Sequence, residues 1–215
     1  KRMEALSPDI VIGMKYLYSN MPYSDVGNYT FDTYLDYVQQ GIYLWENSPY
    51  VKNYPEFYFL NYVLFHRTND EEIKPCRTYF WKKIKDKVQG KAMVEAALEI
   101  NHWCAGEVMY QGTDMRTGSA LEIYRSGVGR CGEEAVFVVN VMRSAGIPAR
   151  PVYVPRWSHC DDNHAWVEVW CDGDWHYLGA CEPEAVLDKG WFTNAASRAM
   201  MIGSRWYDRA MPDEK

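Results

Sequence analysis

Apolar positions recur at helical spacing through the first half of the chain and change to strand-like alternation in the second. Phe31, Tyr34, Leu35, Val38, Ile42 and Trp45 mark one helical face, and Asn47-Ser48-Pro49 ends that run. Glu56 to Phe65 predicts a second apolar helix. Cys76 to Val88 predicts a third, stopped near Gly90. Met93, Ala96, Ala97, Ile100 and Cys104 form the stripe of a fourth. Gln111 to Ala120, rich in Gly, Thr, Ser and Asp, predicts a loop leading into Leu121-Glu122-Ile123-Tyr124.

After Cys131 the pattern gives a broad apolar face: Ala135, Val136, Val138, Val139, Val141, Met142 and Ala145. Gly146 stands where a C-terminal cap is expected, and Pro148 forbids continuation. Pro151 to Val154 then predicts a strand. His164 to Cys171 alternates, Asp172-Gly173 is a hairpin turn signal, and Trp175 to Leu178 returns as the partner strand. The expected architecture is α+β: helices first, then a central helix on an antiparallel sheet.

No repeat, low-complexity tract or linker divides the chain. One domain over residues 1–215 is expected, mainly helical over 1–107, with the chemical motifs in 108–192 and a tail, 193–215, without a clear element. A length of 215 residues with 47% hydrophobic content suffices for a sizeable core. The 9 Trp and 17 Tyr serve first as core, although aromatic-rich clefts also hold polymers. A net charge of -6 without a basic run argues against nucleic acid and anionic membrane surfaces. No apolar run approaches the ~20 residues needed to span a bilayer. The chain begins at Lys1 rather than Met, so the lack of a signal peptide decides nothing.

Six cysteines at irregular spacings, with no CxxC pair, argue against a zinc ribbon, a thioredoxin-like motif or a disulfide scaffold. His159, Cys160, His164, Cys171 and Cys181 cluster in sequence, but ligands beside a tight turn would need unusual strand geometry. No metal and no cofactor is expected. The chemistry concentrates instead in SGVGRCGEE and NHAWVEVW. A thiol at a helix N-terminus faces unpaired backbone N–H groups and the positive end of the macrodipole, which favour the thiolate. The same N–H groups suit an oxyanion. Gly132 lets substrate approach closely. His164, opening a strand after a polar loop, suits the role of base.

GRCGEE, RSAGIPAR, NHAWVEVW and the DGDW turn together resemble the transglutaminase-like superfamily, chiefly its bacterial members; GRCGE and ACE are similar to the peptide:N-glycanase branch. The resemblance covers about Val108 to Trp191. It implies a papain-like α+β fold with a Cys-His-Asp triad, Cys131 as nucleophile, His164 as base, and a second oxyanion donor upstream, for which Trp103 and Gln111 are the candidates. The usual Asp position falls on Gly179, which has no carboxylate. A two-residue Asp172-Gly173 turn would set His164 opposite Cys181, and one more turn residue would set it opposite Glu182. Glu182 is therefore the candidate third member, with Asp161 and Asp162 as alternatives. Trp157 and Trp166, with Tyr153 and Trp170, are expected to line an aromatic substrate cleft.

The implied function is cleavage of an amide bond (peptide, isopeptide or side-chain amide) by a thiol hydrolase through an acyl-enzyme. Acyl transfer to an amine, or a non-catalytic module binding peptide or glycan, are the alternatives, the latter favoured by Gly179. The partner is a peptide, protein or glycopeptide; the oligomeric state is left open. The bacterial resemblance leans towards an extracytoplasmic location. No CxxC pairs precede the cysteine as in eukaryotic glycanases, and no acidic loop supports calcium regulation.

Overall fold

The structure is a computed structural model that describes residues 3–112, 114–205 and 207. In chain order the elements are α1 (Pro8–Asn20), α2 (Tyr23–Asn28), α3 (Phe31–Asn47), α4 (Glu56–Phe59), α5 (Arg77–Val88), α6 (Met93–Glu107), β1 (Met109–Tyr110), α7 (Ala120–Ser126), β2 (Val128–Gly129), α8 (Cys131–Ser144), β3 (Ala149–Val154), β4 (His164–Cys171), β5 (Asp174–Leu178) and α9 (Thr193–Ala196). Two helices, α1 and α2, precede Phe31 within the part expected to be mainly helical. The expected single helix from Glu56 is one α turn running into a π turn over Leu60–Leu64, and Phe65 N–H accordingly reaches back to the Leu60 carbonyl at 3.1 Å.

Helix α8 is the centre of the molecule. Every residue from Glu133 to Ser144 is buried, with β3 and β4 on one side and α5, α6 and α7 on the other. Its apolar face is broader than one stripe because it has neighbours on both sides. A helix buried this completely must have its terminal carbonyls satisfied by protein. Gln40 Nε2 donates to Ser144 O at 3.1 Å, Ser48 Oγ to Ala145 O at 3.3 Å, and Tyr54 Oη to Gly146 O at 2.7 Å. Gly146 closes the end with φ +84, and a Cβ there would lie 2.8 Å from Ser48 Oγ. The N-terminal helical half is thus the cap of the central helix.

Two buried guanidinium groups hold the strand-like exit from the π turn. Arg77 donates to the carbonyls of Val63 (2.6 Å) and Phe65 (3.1 Å) and to Asn140 Oδ1 (3.1 Å). Arg143 donates to the carbonyls of Phe65 (3.0 Å), Arg67 (3.1 Å) and Ala149 (2.9 Å). Among the described residues neither forms an ion pair with a carboxylate; burial and the neighbouring Arg77 charge hold the Arg143 pKa down to about 9.

The sheet has the order β3-β4-β5, all antiparallel. Cys171 pairs with Asp174, so the β4–β5 connection is the two-residue Asp172-Gly173 turn. Its φ values, +54 and +92, are both positive, as a type I′ turn requires. The segment beyond α9 returns to the free edge of β3, where Gly203 and Tyr153 exchange backbone hydrogen bonds of 2.9 and 3.0 Å. Residues 206 and 208–215 of the expected tail lie outside the described residues. Among the described residues no helix is long and apolar enough to cross a membrane.

Replacing Arg143 with Met takes this donor from the carbonyls of Arg67 and Ala149, while the Phe65 carbonyl keeps Arg77. At about 1–3 kcal/mol each, the expected destabilisation is at least about 2 kcal/mol by urea unfolding. Tyr54→Phe, which removes one bond, is expected to cost about 1 kcal/mol.

Candidate active site

Three elements converge at the N-terminus of α8. Arg130 precedes the helix in extended backbone, and Glu133 Oε2 accepts its N–H at 3.2 Å, so the first turn is capped from within. The Arg130 side chain spans outward to the carbonyls of Asp114, Met115 and Arg116 and to Thr117 Oγ1, pinning the 114–117 loop beside the helix entry. Cys131 is the first helical residue and half-buried, and the backbone N–H groups of Ala165 and Gly132 are directed at its Sγ. The thiol therefore lies against the start of β4, next to His164.

Burial outweighs those N–H groups and Arg130, and the Cys131 thiol is pushed above its ordinary range. That differs from the expected thiolate at a helix N-terminus: desolvation is the larger effect here. His164 is 6% exposed, and burial lowers its pKa to about 4 against the opposing pull of Asp162. At neutral pH both groups are uncharged.

Glu182 arrives by an unexpected route. Pairing of β4 with β5 ends at Leu178, and the chain then turns sharply, with Glu182 N–H donating to the Gly179 carbonyl at 3.1 Å and Cys181 at φ +57. The turn folds the Glu182 side chain back over Gly179. A Cβ at position 179 would collide with the Glu182 carboxylate and lie 2.8 Å from its Cβ. The carboxylate of Glu182 thus fills the space a side chain at 179 would need. Asn101 of α6 clasps the turn: its Nδ2 donates to Gly179 O at 2.9 Å, and its Oδ1 accepts from Cys181 N–H at 3.0 Å. An asparagine on an apolar helical stripe gave no sign of this role in the sequence.

Trp191 joins the two buried polar groups. Its indole N–H donates to Glu182 Oε1 at 2.9 Å, and its ring centroid lies 4.7 Å from that of His164. His164 Nε2 and Glu182 Oε2 are both buried and without a hydrogen-bond partner. Burial raises the Glu182 pKa, and the Trp191 bond opposes the rise.

The other expected residues are placed differently. Trp157 and Trp166 are 5% and 4% exposed; with Val152, Val154 and Phe192 they form a small apolar cluster behind His164 instead of a cleft wall. Trp191, 65% exposed, is the accessible indole, and its position after a loop hid it from periodicity. Trp103 stacks on Tyr124 and packs against Phe137, as core. Gln111 is exposed and its N–H bonds the Gly129 carbonyl at 2.9 Å, beside the chain entering Cys131. Gly132 stands where a Cβ would meet Arg130 Nη1 at 2.9 Å. Asp162 acts on His164 through charge alone, while Asp161 pairs with Arg156 at 3.2 Å. Among the described residues no His, Cys, Asp and Glu cluster could hold a metal ion. A cavity of about 920 Å³ lies on the far side of Arg130 and Glu133, and neither Cys131 nor His164 lines it.

Residues 82–180, a little under half of the chain, match the family described as the transglutaminase-like superfamily. Comparison with curated proteins finds no match. Among solved structures the chain is similar to a protein of Cytophaga hutchinsonii provisionally described as a cysteine protease, at 22% identity and TM-score 0.41, over 60% of this chain and 45% of that one. It is also similar to LapG of Legionella pneumophila, at 17% identity and TM-score 0.42, over 57% of this chain and 68% of that one. The chain thus spans under half the length of the first of these.

His164 is expected to titrate near pH 4 in its ring C–H signals, and Asp162→Asn to lower that midpoint further. An unfolded histidine takes its proton near ~6.5, so His164 withdraws stability as pH falls from there through its folded pKa. A midpoint near ~6.5 would contradict the burial described.

Proposed function

We propose that the chain is a thiol hydrolase that cleaves an amide bond through an acyl-enzyme at Cys131. In the reaction His164 takes the Sγ proton as Sγ attacks the carbonyl carbon, forming the C–S bond. The backbone N–H of Cys131, at the start of α8, receives the oxyanion, with Gln111 flanking it. The imidazolium then protonates the leaving amine as the C–N bond breaks. Water attacks the thioester, releases the acid and returns the proton to Sγ. A neutral thiol–imidazole pair suits this order, because charge develops only when substrate arrives and displaces water.

Glu182 is proposed as the carboxylate that orients His164. The observation that carries this reading is the pair of buried, unpartnered atoms, His164 Nε2 and Glu182 Oε2, against the same indole. A buried acceptor and a buried imidazole nitrogen each left without a partner are costly apart and complementary together. Gly179 then has a reason: it vacates the volume that Glu182 occupies. Asn101 and Trp191 act as positioning residues for the turn and the carboxylate.

The substrate class is a peptide or protein amide, at a backbone, isopeptide or side-chain position. Exposed Trp191 is the surface on which such a chain would stack. Transfer to an amine would use the same residues and differ only in which nucleophile reaches the thioester.

The test is release of new amino groups or ammonia from a mixed peptide pool, with and without an added primary amine. Cys131→Ala is expected to abolish release, and Glu182→Gln to lower it by on the order of 10²–10⁴-fold. Gly179→Asp alone should clash with Glu182 and lose activity. Gly179→Asp combined with Glu182→Gly, which removes both the carboxylate and the Cβ that a side chain at 179 would meet, should recover activity above Glu182→Gly alone, because the carboxylate returns to the same space from position 179. Equal activity of Glu182→Gln and the parent protein would remove Glu182 from the site.

A further inference from the structure

The first turn of α8 carries two consecutive glutamates, and only one has a structural task. Glu133 accepts the N–H groups of Arg130 and Gly118, each at 3.2 Å. Glu134 is 4% exposed and, among the described residues, has neither a hydrogen bond nor an ion pair. It stands three residues after Cys131, on the same helical face one turn along. Glu182 faces it from the 179–182 turn, near enough for the two carboxyl groups to repel. The groups that bear on this pair are Glu133 and Cys131 from the helix and Cys181 from the turn, and none is cationic.

Two buried carboxyl groups side by side without a cation do not both ionise; the pair keeps one proton. Which of them keeps it follows from the donors. Glu182 Oε1 receives the Trp191 indole N–H, which stabilises the charged form, whereas Glu134 receives no donor. We propose that Glu134 is a positioning residue that works as a neutral carboxylic acid, leaving the negative charge of the pair on Glu182. This rests on the orienting role given to Glu182 above. Burial and the Glu182 charge hold the Glu134 pKa up to about 8, in keeping with that division.

The consequence is an upper pH limit built into the site. Above its midpoint Glu134 ionises, opposes the Glu182 charge and raises the Cys131 thiol further. Gln is a neutral isostere of the protonated acid, so Glu134→Gln should keep the working state and lack the limit.

Two measurements test this on the full chain. The first is the infrared difference spectrum between the parent protein and Glu134→Gln. A protonated-carboxyl C=O band assigned to Glu134 is expected at pH 6.5 and should disappear with a midpoint of about 8. The second is the iodoacetamide alkylation rate of Cys131, read by peptide mapping. Glu134→Gln should match the parent protein below the midpoint and exceed it above, since the opposing charge is gone. No protonated band at pH 6.5, or a rate already different there, overturns the proposal. Should Glu134→Gln fail to fold, carboxyl carbon NMR of the glutamate-labelled parent protein reads the same midpoint, and a midpoint near the ordinary ~4.3 overturns it equally. If His164→Ala leaves Cys131 alkylation unchanged, the hydrolase reading fails while the Glu134 band stands or falls by itself.

Discussion

A helix buried along its whole length controls this molecule. From Glu133 to Ser144 no residue of the Cys131 helix reaches solvent, so its ends must be satisfied by protein or by a ligand. At the C-terminal end, Gln40, Ser48 and Tyr54 cross from the N-terminal helical half to take the last carbonyls. At the N-terminal end Glu133 secures the Arg130 N–H, the Arg130 carbonyl takes the N–H groups of Glu133 and Glu134, and the Gly132 N–H is directed at the half-buried Cys131 thiol. One end of the helix is closed by side chains and the other is left open to chemistry. The sheet packed along its flank fixes where His164 must be, since β4 begins at the level of the thiol.

The site at rest is an uncharged one. Burial pushes Cys131 up and His164 down, so neither the helix dipole nor the surrounding N–H groups produce a standing ion pair. A reaction there begins with proton transfer from sulfur to the imidazole. That transfer needs a carboxylate near the ring to hold its orientation and to balance the imidazolium that forms. Glu182 is the carboxylate within reach of the same indole as His164, and it fits only because position 179 has no side chain.

Much of this was legible in the residues and some was not. The Asp172-Gly173 turn and the alternation of His164 to Cys171 correctly predict the hairpin and its register, because both depend on local backbone preferences. The helix after Cys131 was equally plain from its apolar face and its Gly146-Pro148 stop. Glu182 could be named but its path could not: register alone pointed across the strands, whereas a turn at positive φ carries it back over Gly179. Trp157 and Trp166 misled because an aromatic beside a site is as readily its floor as its wall, and composition does not distinguish exposure. Asn101, Trp191 and the partnerless state of Glu134 depend on contacts between distant segments, which no local pattern encodes.

The central claim is that Cys131 accepts an acyl group and His164 drives its turnover. Exposure of the full chain to p-nitrophenyl acetate, followed by intact mass and peptide mapping, tests it without knowledge of the substrate. The account predicts one acetyl on Cys131, absent in Cys131→Ala, formed and discharged more slowly in His164→Ala. Acetylation spread over the accessible thiols with Cys131 unmodified, or kinetics indifferent to His164, would contradict it.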